Sequence, residues 1–131
     1  MKILIDTDIL LDVALRRVEF FEDSAAVLNW AESHPGQAAV AWHSFSNIAY
    51  LLKSDARGFI TDILEFVSVA PVGTDELRLA LDAPMKDLED AMQVASAISF
   101  GARHVITRNL PDYRRSAVPA ITPKAFLALD A

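Results

Sequence analysis

Asp6 and Asp8 stand directly after a short apolar run, Lys2-Ile3-Leu4-Ile5. Asn109 and Asp112 follow another, from His104 to Thr107, and Asp87 and Asp90 open the clearest helical pattern in the chain. Short apolar runs of this kind read as strands buried on both faces of a parallel sheet. In such sheets ligands bind beyond the carboxyl ends of the strands, where these oxygen-bearing side chains fall. On the late helix Ala91, Val94 and Ile98 mark the expected buried stripe, with Asp90 pointing close to Val94 and Ala97. An ionised carboxylate beside a core is costly unless it is paired or binds a cation. A cluster of carboxylate and amide oxygens without Cys or His suits Mg²⁺ or Mn²⁺ far better than zinc.

Each acid also has a plain structural reading. Asp6 or Asp8 can be a helix cap, and Asp87 an N-terminal acid favoured by the helix dipole. Asp112 can shape the loop before Tyr113, and Asn109 can be a turn residue tolerant of left-handed geometry. Their joint placement on one sheet edge favours a site.

The elements that would carry these residues alternate along the chain. Further short strands are predicted at Val40-Ala41, Val67 to Val72 and Ala117 to Ile121. Helices are predicted from about Ile9 to Arg17, capped by Thr7 or Asp8, with Asp12 and Arg16 on the exposed side. Others run from Phe21 to Glu32, from Phe45 to Lys53 capped by Ser44, from Ala56 to Phe66, from Thr74 to Leu81, from about Asp87 to Phe100, and onward from Thr122-Pro123. Small residues at Ala91 and Ala95 would let the Asp87 helix lie close to the sheet, bringing Asp90 toward Asp6. The pattern predicts an α/β domain with a mainly parallel sheet, and the absence of any linker or repeat predicts one domain over residues 1–131.

Composition bounds the function. The chain has 131 residues, 53% hydrophobic, with 12 basic against 18 acidic residues for a net charge of −6. An acidic balance argues against sequence-blind, metal-free gripping of a nucleic-acid backbone, but leaves room for a local basic strip or a metal-bridged substrate. The absence of Cys removes disulfides, thiolate metal sites and Cys nucleophiles together. No run is long enough for a membrane span and none precedes Asp6 that would serve as a secretory leader, so a cytoplasmic protein is expected.

Ile5-Asp6-Thr7-Asp8-Ile9-Leu10-Leu11-Asp12, Asp87-Leu88-Glu89-Asp90-Ala91, Ile106-Thr107-Arg108-Asn109 and Asp112-Tyr113, in this order and with the closing Pro119 to Phe126 segment, resemble the PIN-domain family of metal-dependent ribonucleases, which includes VapC-type toxins. The resemblance implies a three-layer α/β/α fold around a five-stranded parallel sheet, with acids gathered at one edge to hold Mg²⁺ or Mn²⁺. It implies Asp6, Asp90 and Asp112 as catalytic metal ligands, Asn109 sharing the last position, and Asp8 and Asp87 as outer groups. Arg108, Arg114 and Arg115 are expected to contact RNA, with Arg16 and Lys53 as further candidates. A cognate antitoxin and a homodimer are the expected partners. The chain departs from the family pattern where many relatives carry a Glu on the helix after the second strand. The nearest residue here is Asn47, whose amide can ligate a cation but brings no charge.

That departure motivates the alternative of a PIN-like binding module with little catalysis. A phosphorylatable receiver domain would need an acceptor Asp at the end of the middle strand, and Val67 to Gly73 contains none. The Asp6-Thr7-Asp8 pair also recurs in haloacid-dehalogenase-like phosphatases, but Ile9-Leu10 and the short chain do not fit that fold. His43 and His104 are expected to be structural, and Trp30, Trp42, Phe45 and Tyr50 to be either core or a dimer surface.

Overall fold

The computed structural model describes residues 1–130. The chain alternates strands and helices: β1 (Ile3–Ile5), α1 (Thr7–Ala14), α2 (Phe21–Ser33), β2 (Ala38–Val40), α3 (Trp42–Leu52), α4 (Ala56–Ile63), β3 (Ser68–Val69), α5 (Thr74–Asp82), α6 (Leu88–Phe100), β4 (His104–Ile106), β5 (Ala120–Ile121) and α7 (Pro123–Asp130). The five strands form one sheet in the order β3-β2-β1-β4-β5, and all four pairings are parallel. The alternation of elements predicts this parallel α/β sheet, and the family resemblance implies the three-layer α/β/α architecture it forms.

Strand alternation divides the core. Ile3, Ile5, Ala38, Val40 and Ile106 face one side, where they pack with residues of α1, α2, α3, α4 and α7. Leu4, Ala39 and Val105 face the other, against Val94 and Ala97 of α6. Because β1 is buried on both faces, it can be uniformly aliphatic, and it is the centre of the sheet. The strand order reverses direction at β1, so the carboxyl ends of β1 and β4 flank the switch point where α/β sheets open a crevice.

Several boundaries differ from the sequence expectation for physical reasons. Helix α1 starts at Thr7 because Asp6, not Thr7 or Asp8, is its cap: the Asp6 Oδ1 accepts from the Thr7 amide at 2.7 Å. It ends at Ala14, and Arg16 takes φ +49° to close the turn, which carries its guanidinium over the Phe21 ring. Asp12 is therefore not on an exposed face beside Arg16. It is fully buried and paired elsewhere. Helix α3 starts two residues before Ser44, without a side-chain cap, leaving Ser44 buried inside it.

On α6 the sheet-facing residues are Val94 and Ala97, whereas Ala91 and Ala95 pack on Ala80 of α5. Ile98 is 42% exposed and lies outside the buried stripe. The small residues thus bring α5 and α6 together, and the helix meets the sheet through Val94 and Ala97. Gly101 closes α6 at φ +81°, the left-handed position that glycine takes without strain. Trp30 and Phe45 are core, whereas Trp42 and Tyr50 are 60% and 80% exposed. No helix among the described residues is long and apolar enough to cross a membrane.

Candidate active site

Asp6 occupies the carboxyl end of β1 and is almost wholly buried. Its Oδ1 accepts from the Thr7 amide, and its Oδ2 accepts from Thr107 Oγ1 at 2.8 Å and from the Tyr113 hydroxyl at 3.1 Å. Burial raises its pKa, and the three donors hold the rise in check. Burial and the neighbouring carboxylates push the Tyr113 phenol far up, so it stays protonated and can only be the donor. A carboxylate offers about four acceptor positions. Three are filled, and the free one is on Oδ1.

Asp90 comes from the first turn of α6, one turn after its cap Asp87, whose Oδ1 accepts from the Asp90 amide at 3.0 Å. Its carboxyl is only partly buried, yet its pKa is pushed up to about 7, first by desolvation and then by Asp87, Asp6, Asp112 and Glu89. Asp112 lies in a 3-10 turn (Leu110–Tyr113) after β4, and the Asn109 amide donates to it. Asp6, Asp87, Asp90 and Asp112, from the end of β1, the start of α6 and the turn after β4, therefore share one electrostatic field. Asp8, in the first turn of α1, is pushed up to about 6 by burial and by Asp6, against the Arg108 amide that donates to its Oδ2 at 3.0 Å. Its Oδ1 is buried and accepts no hydrogen bond among the described residues.

A polar tie beneath the acids sets their relative positions. Thr7 Oγ1 donates to Ser44 Oγ at 2.7 Å, and Gln93 Nε2 donates to the same oxygen at 2.7 Å. This joins the start of α1, the start of α3 and the turn of α6 that follows Asp90. Neither Ser44 nor Gln93 is legible as a site residue in the sequence, although Gln93 sits in an otherwise apolar stripe, which was a usable signal. Thr107 and Tyr113 also escape sequence reasoning as separate contributors, being a strand residue and an aromatic beside the quoted acids.

Asn47 lies partly exposed on α3, and its Nδ2 donates to Glu89 Oε1 at 2.8 Å. The amide at 47 thus faces a carboxylate supplied by α6, from a residue that is not among the candidates read from the sequence. Burial lowers the pKa of His43, and its buried Nε2 has no hydrogen-bond partner among the described residues, while the candidate ligands of the acid cluster itself are oxygens. Arg108 is not a free cation: its Nε and Nη2 bind Asp12 at 2.8 and 2.9 Å, and its guanidinium lies 3.7 Å from the Phe20 ring centre. Arg114 and Arg115 are exposed just after the 3-10 turn.

The donor set fits a hard divalent cation. All the donors are oxygens, the carboxylates repel one another, Asp6 has a free acceptor position and Asp8 has an unpartnered buried oxygen. Among the described residues no three acidic or imidazole side chains converge closely enough to enclose an ion. A cation held here would therefore take few direct protein ligands and fill its shell with water or phosphate oxygens, as Mg²⁺ commonly does.

The Asp90 shift has a consequence for the metal-free protein. Its folded pKa of about 7 exceeds the ordinary 3.8, so the folded state binds more protons than the unfolded state between those values. Its contribution to stability is complete below about pH 4 and is lost as pH rises through 7. In EDTA, Asp90→Asn should leave the melting temperature near that of the parent at pH 4 and raise it at pH 8. Equal differences at both pH values would refute the raised Asp90 pKa.

A PIN-domain family model matches residues 2–111, a span that holds Asp6, Asp8, Asn47, Asp87, Asp90, Arg108 and Asn109 and ends one residue before Asp112. Among solved structures, the fold matches a toxin–antitoxin complex from Klebsiella pneumoniae with a TM-score of 0.67 and 22% identity, over 93% of this chain and 98% of that one. It also matches VapBC2 from Rickettsia felis, bound to a DNA fragment from its promoter, with a TM-score of 0.74 and 11% identity over the same shares. No curated protein matches the chain. With the family model covering most of the chain and the acids standing at the switch point of the expected parallel sheet, the protein belongs to the PIN-domain family.

Proposed function

We propose that this protein is a Mg²⁺- or Mn²⁺-dependent endoribonuclease, acting as the toxin of a toxin–antitoxin pair. The observation that carries the reading is the position of Asp90, a partly exposed carboxyl at the switch point of the sheet, raised to about 7 first by desolvation and then by repulsion from acids that include those of two other elements. Such repulsion has no structural benefit of its own, and a divalent cation reverses its sign. Asp6, Asp90 and Asp112 would hold the ion, not all of them directly but in part through water, with Asn109 orienting Asp112, and with Asp8, Asp87 and Asn47 as outer groups. When bound, the ion supplies Lewis acidity that stabilises charge on the scissile phosphate and acidifies water. The chain's own contribution is positional: Thr107 and Tyr113 aim the Asp6 carboxylate, and the Thr7–Ser44–Gln93 tie keeps α6 in register with β1. RNA contact is assigned to Arg114 and Arg115, with Arg108 acting through its backbone and its grip on Asp12.

One solved structure of similar fold is a toxin–antitoxin complex and the other is VapBC2 bound to promoter DNA, and this chain presents exposed Trp42, Tyr50 and Leu51 on α3, which suits an antitoxin partner or a second copy. The decisive experiment incubates purified protein with single-stranded and structured RNA. Cleavage is expected with Mg²⁺ or Mn²⁺ and none with EDTA. The uncharged Asn47 favours one second reading, a binding module of low activity. Tight Mn²⁺ binding by calorimetry without turnover on any RNA would establish that reading in place of the nuclease.

A further inference from the structure

A groove of about 450 Å³ adjoins the acid cluster, between the loop that joins α5 to α6 and the turn after β4. Asp87 and Asp112 of the cluster form part of its wall. Lys86, Arg114 and Arg115 form another part. All three cations are exposed, and none makes an ion pair among the described residues, where the ion pairs formed are those of Asp12 with Arg17 and Arg108. Three unpaired cations around one groove stand out in a chain with net charge −6. Pro84 and Pro111 also line it and offer no backbone N–H, so at those two positions the wall supplies no amide to an anion. No aromatic residue lines it.

We propose that this groove is the track for the phosphates of a single RNA strand on one side of the cleaved bond, gripped by Lys86, Arg114 and Arg115. The inference rests on the nuclease reading and adds to it a direction of approach, a new residue in Lys86 and a mode of recognition. Arg forks match phosphate oxygens, and Lys86 adds a point charge at the far side of the α6 cap. Without aromatic side chains the groove lacks the usual platforms for base stacking, so its cations read chiefly the backbone and give little sequence preference along this stretch. A cation at the acid end makes the charge continuous from the cluster to Arg115. A polyanion with a phosphate at the reacting centre can span both, whereas an anionic peptide has no group that must sit at the acid end.

The test measures binding of a fluorescent oligouridylate in Ca²⁺ across a salt series, and its cleavage in Mn²⁺. Lys86→Ala, Arg114→Ala and Arg115→Ala should each weaken binding. The triple variant should flatten the dependence of log K on log salt by about 2, at roughly 0.7 for each phosphate no longer neutralised. Oligocytidylate should respond in the same way. Arg57→Ala, at an exposed position of α4, is the single-charge control and should behave as the parent. A parent that cleaves RNA while the triple variant keeps its affinity and salt slope would overturn the groove and leave the nuclease standing. A parent that neither binds nor cleaves RNA would overturn both. Polyglutamate binding that depends on the three cations while RNA binding does not would assign the groove to an anionic peptide and overturn the proposal.

Discussion

Asp6→Asn and Asp90→Asn should each lower RNA cleavage by at least about 100-fold, beyond the 10- to 100-fold typical of groups that only support a metal ligand. The two substitutions act differently on the same field. Asp6 is buried with three donors aimed at it. An amide oxygen can still accept from the Thr7 amide, and the Thr107 and Tyr113 hydroxyls can rotate to meet an amide nitrogen. The fold should therefore hold, because the removed charge was disfavoured by burial. What disappears is the anionic oxygen with a free acceptor position. Asp90→Asn removes the carboxyl on which Asp87, Asp6, Asp112 and Glu89 all act, so it lowers cation affinity and also relieves repulsion. Both variants should melt no lower than the parent at pH 8 in EDTA, while Mn²⁺ binding by calorimetry and initial cleavage rates collapse. Cleavage at the parental rate by both proteins, with contamination excluded, would remove these residues from the reaction.

How much of this was legible beforehand depended on whether a residue's role is local. The strands were readable because β1, β2 and β4 are buried on both faces and so are continuously apolar. The acids were readable because their positions after strands and at the start of α6 are properties of chain order. The roles of Asp12, Ser44 and Gln93 were not, since each depends on an element distant in sequence. Ser44 reads locally as a cap, yet it meets Thr7 and Gln93 from 37 and 49 residues away. Asp12 reads as half of an i,i+4 pair with Arg16, a pairing that fails because α1 stops at Ala14 and the next turn reverses. Ala91 and Ala95 read locally as close-approach residues, but the surface they approach is Ala80 of α5 and not the sheet, because the sequence does not show α5 lying across α6. The charge-neutral Asn47 was legible as a departure. Its bond to Glu89, which returns a carboxylate to that side of the site, was not.

Arg108→Ala should destabilise the protein by about 3 kcal/mol, at the low end of the roughly 3–5 kcal/mol seen when one partner of a buried ion pair is removed. That corresponds to a fall of roughly 10 °C in melting temperature for a domain of this size. The reason lies with Asp12, which is fully buried and receives both arms of the Arg108 fork. After the substitution it keeps the Ser24 hydroxyl at 2.9 Å and Arg17 at 3.3 Å, which is why the low end applies. Ala keeps the backbone amide that binds Asp8, but removing the fork to Asp12 takes away the side-chain anchor of the segment in which Asn109 donates to Asp112, and the turn that carries the third acid should slacken. Cleavage should fall further than the loss of folded protein explains. Arg108→Lys should be intermediate in stability, since it keeps the charge and loses the planar fork. Pairing Asp12→Leu with Arg108→Met should recover most of the stability, because apolar residues of similar volume leave no buried charge uncompensated, but not the cleavage rate. An Arg108→Ala protein within about 0.5 kcal/mol of its parent by urea denaturation would show that Arg17 and Ser24 alone satisfy Asp12, and that the fork contributes neither to the fold nor to the placement of the turn.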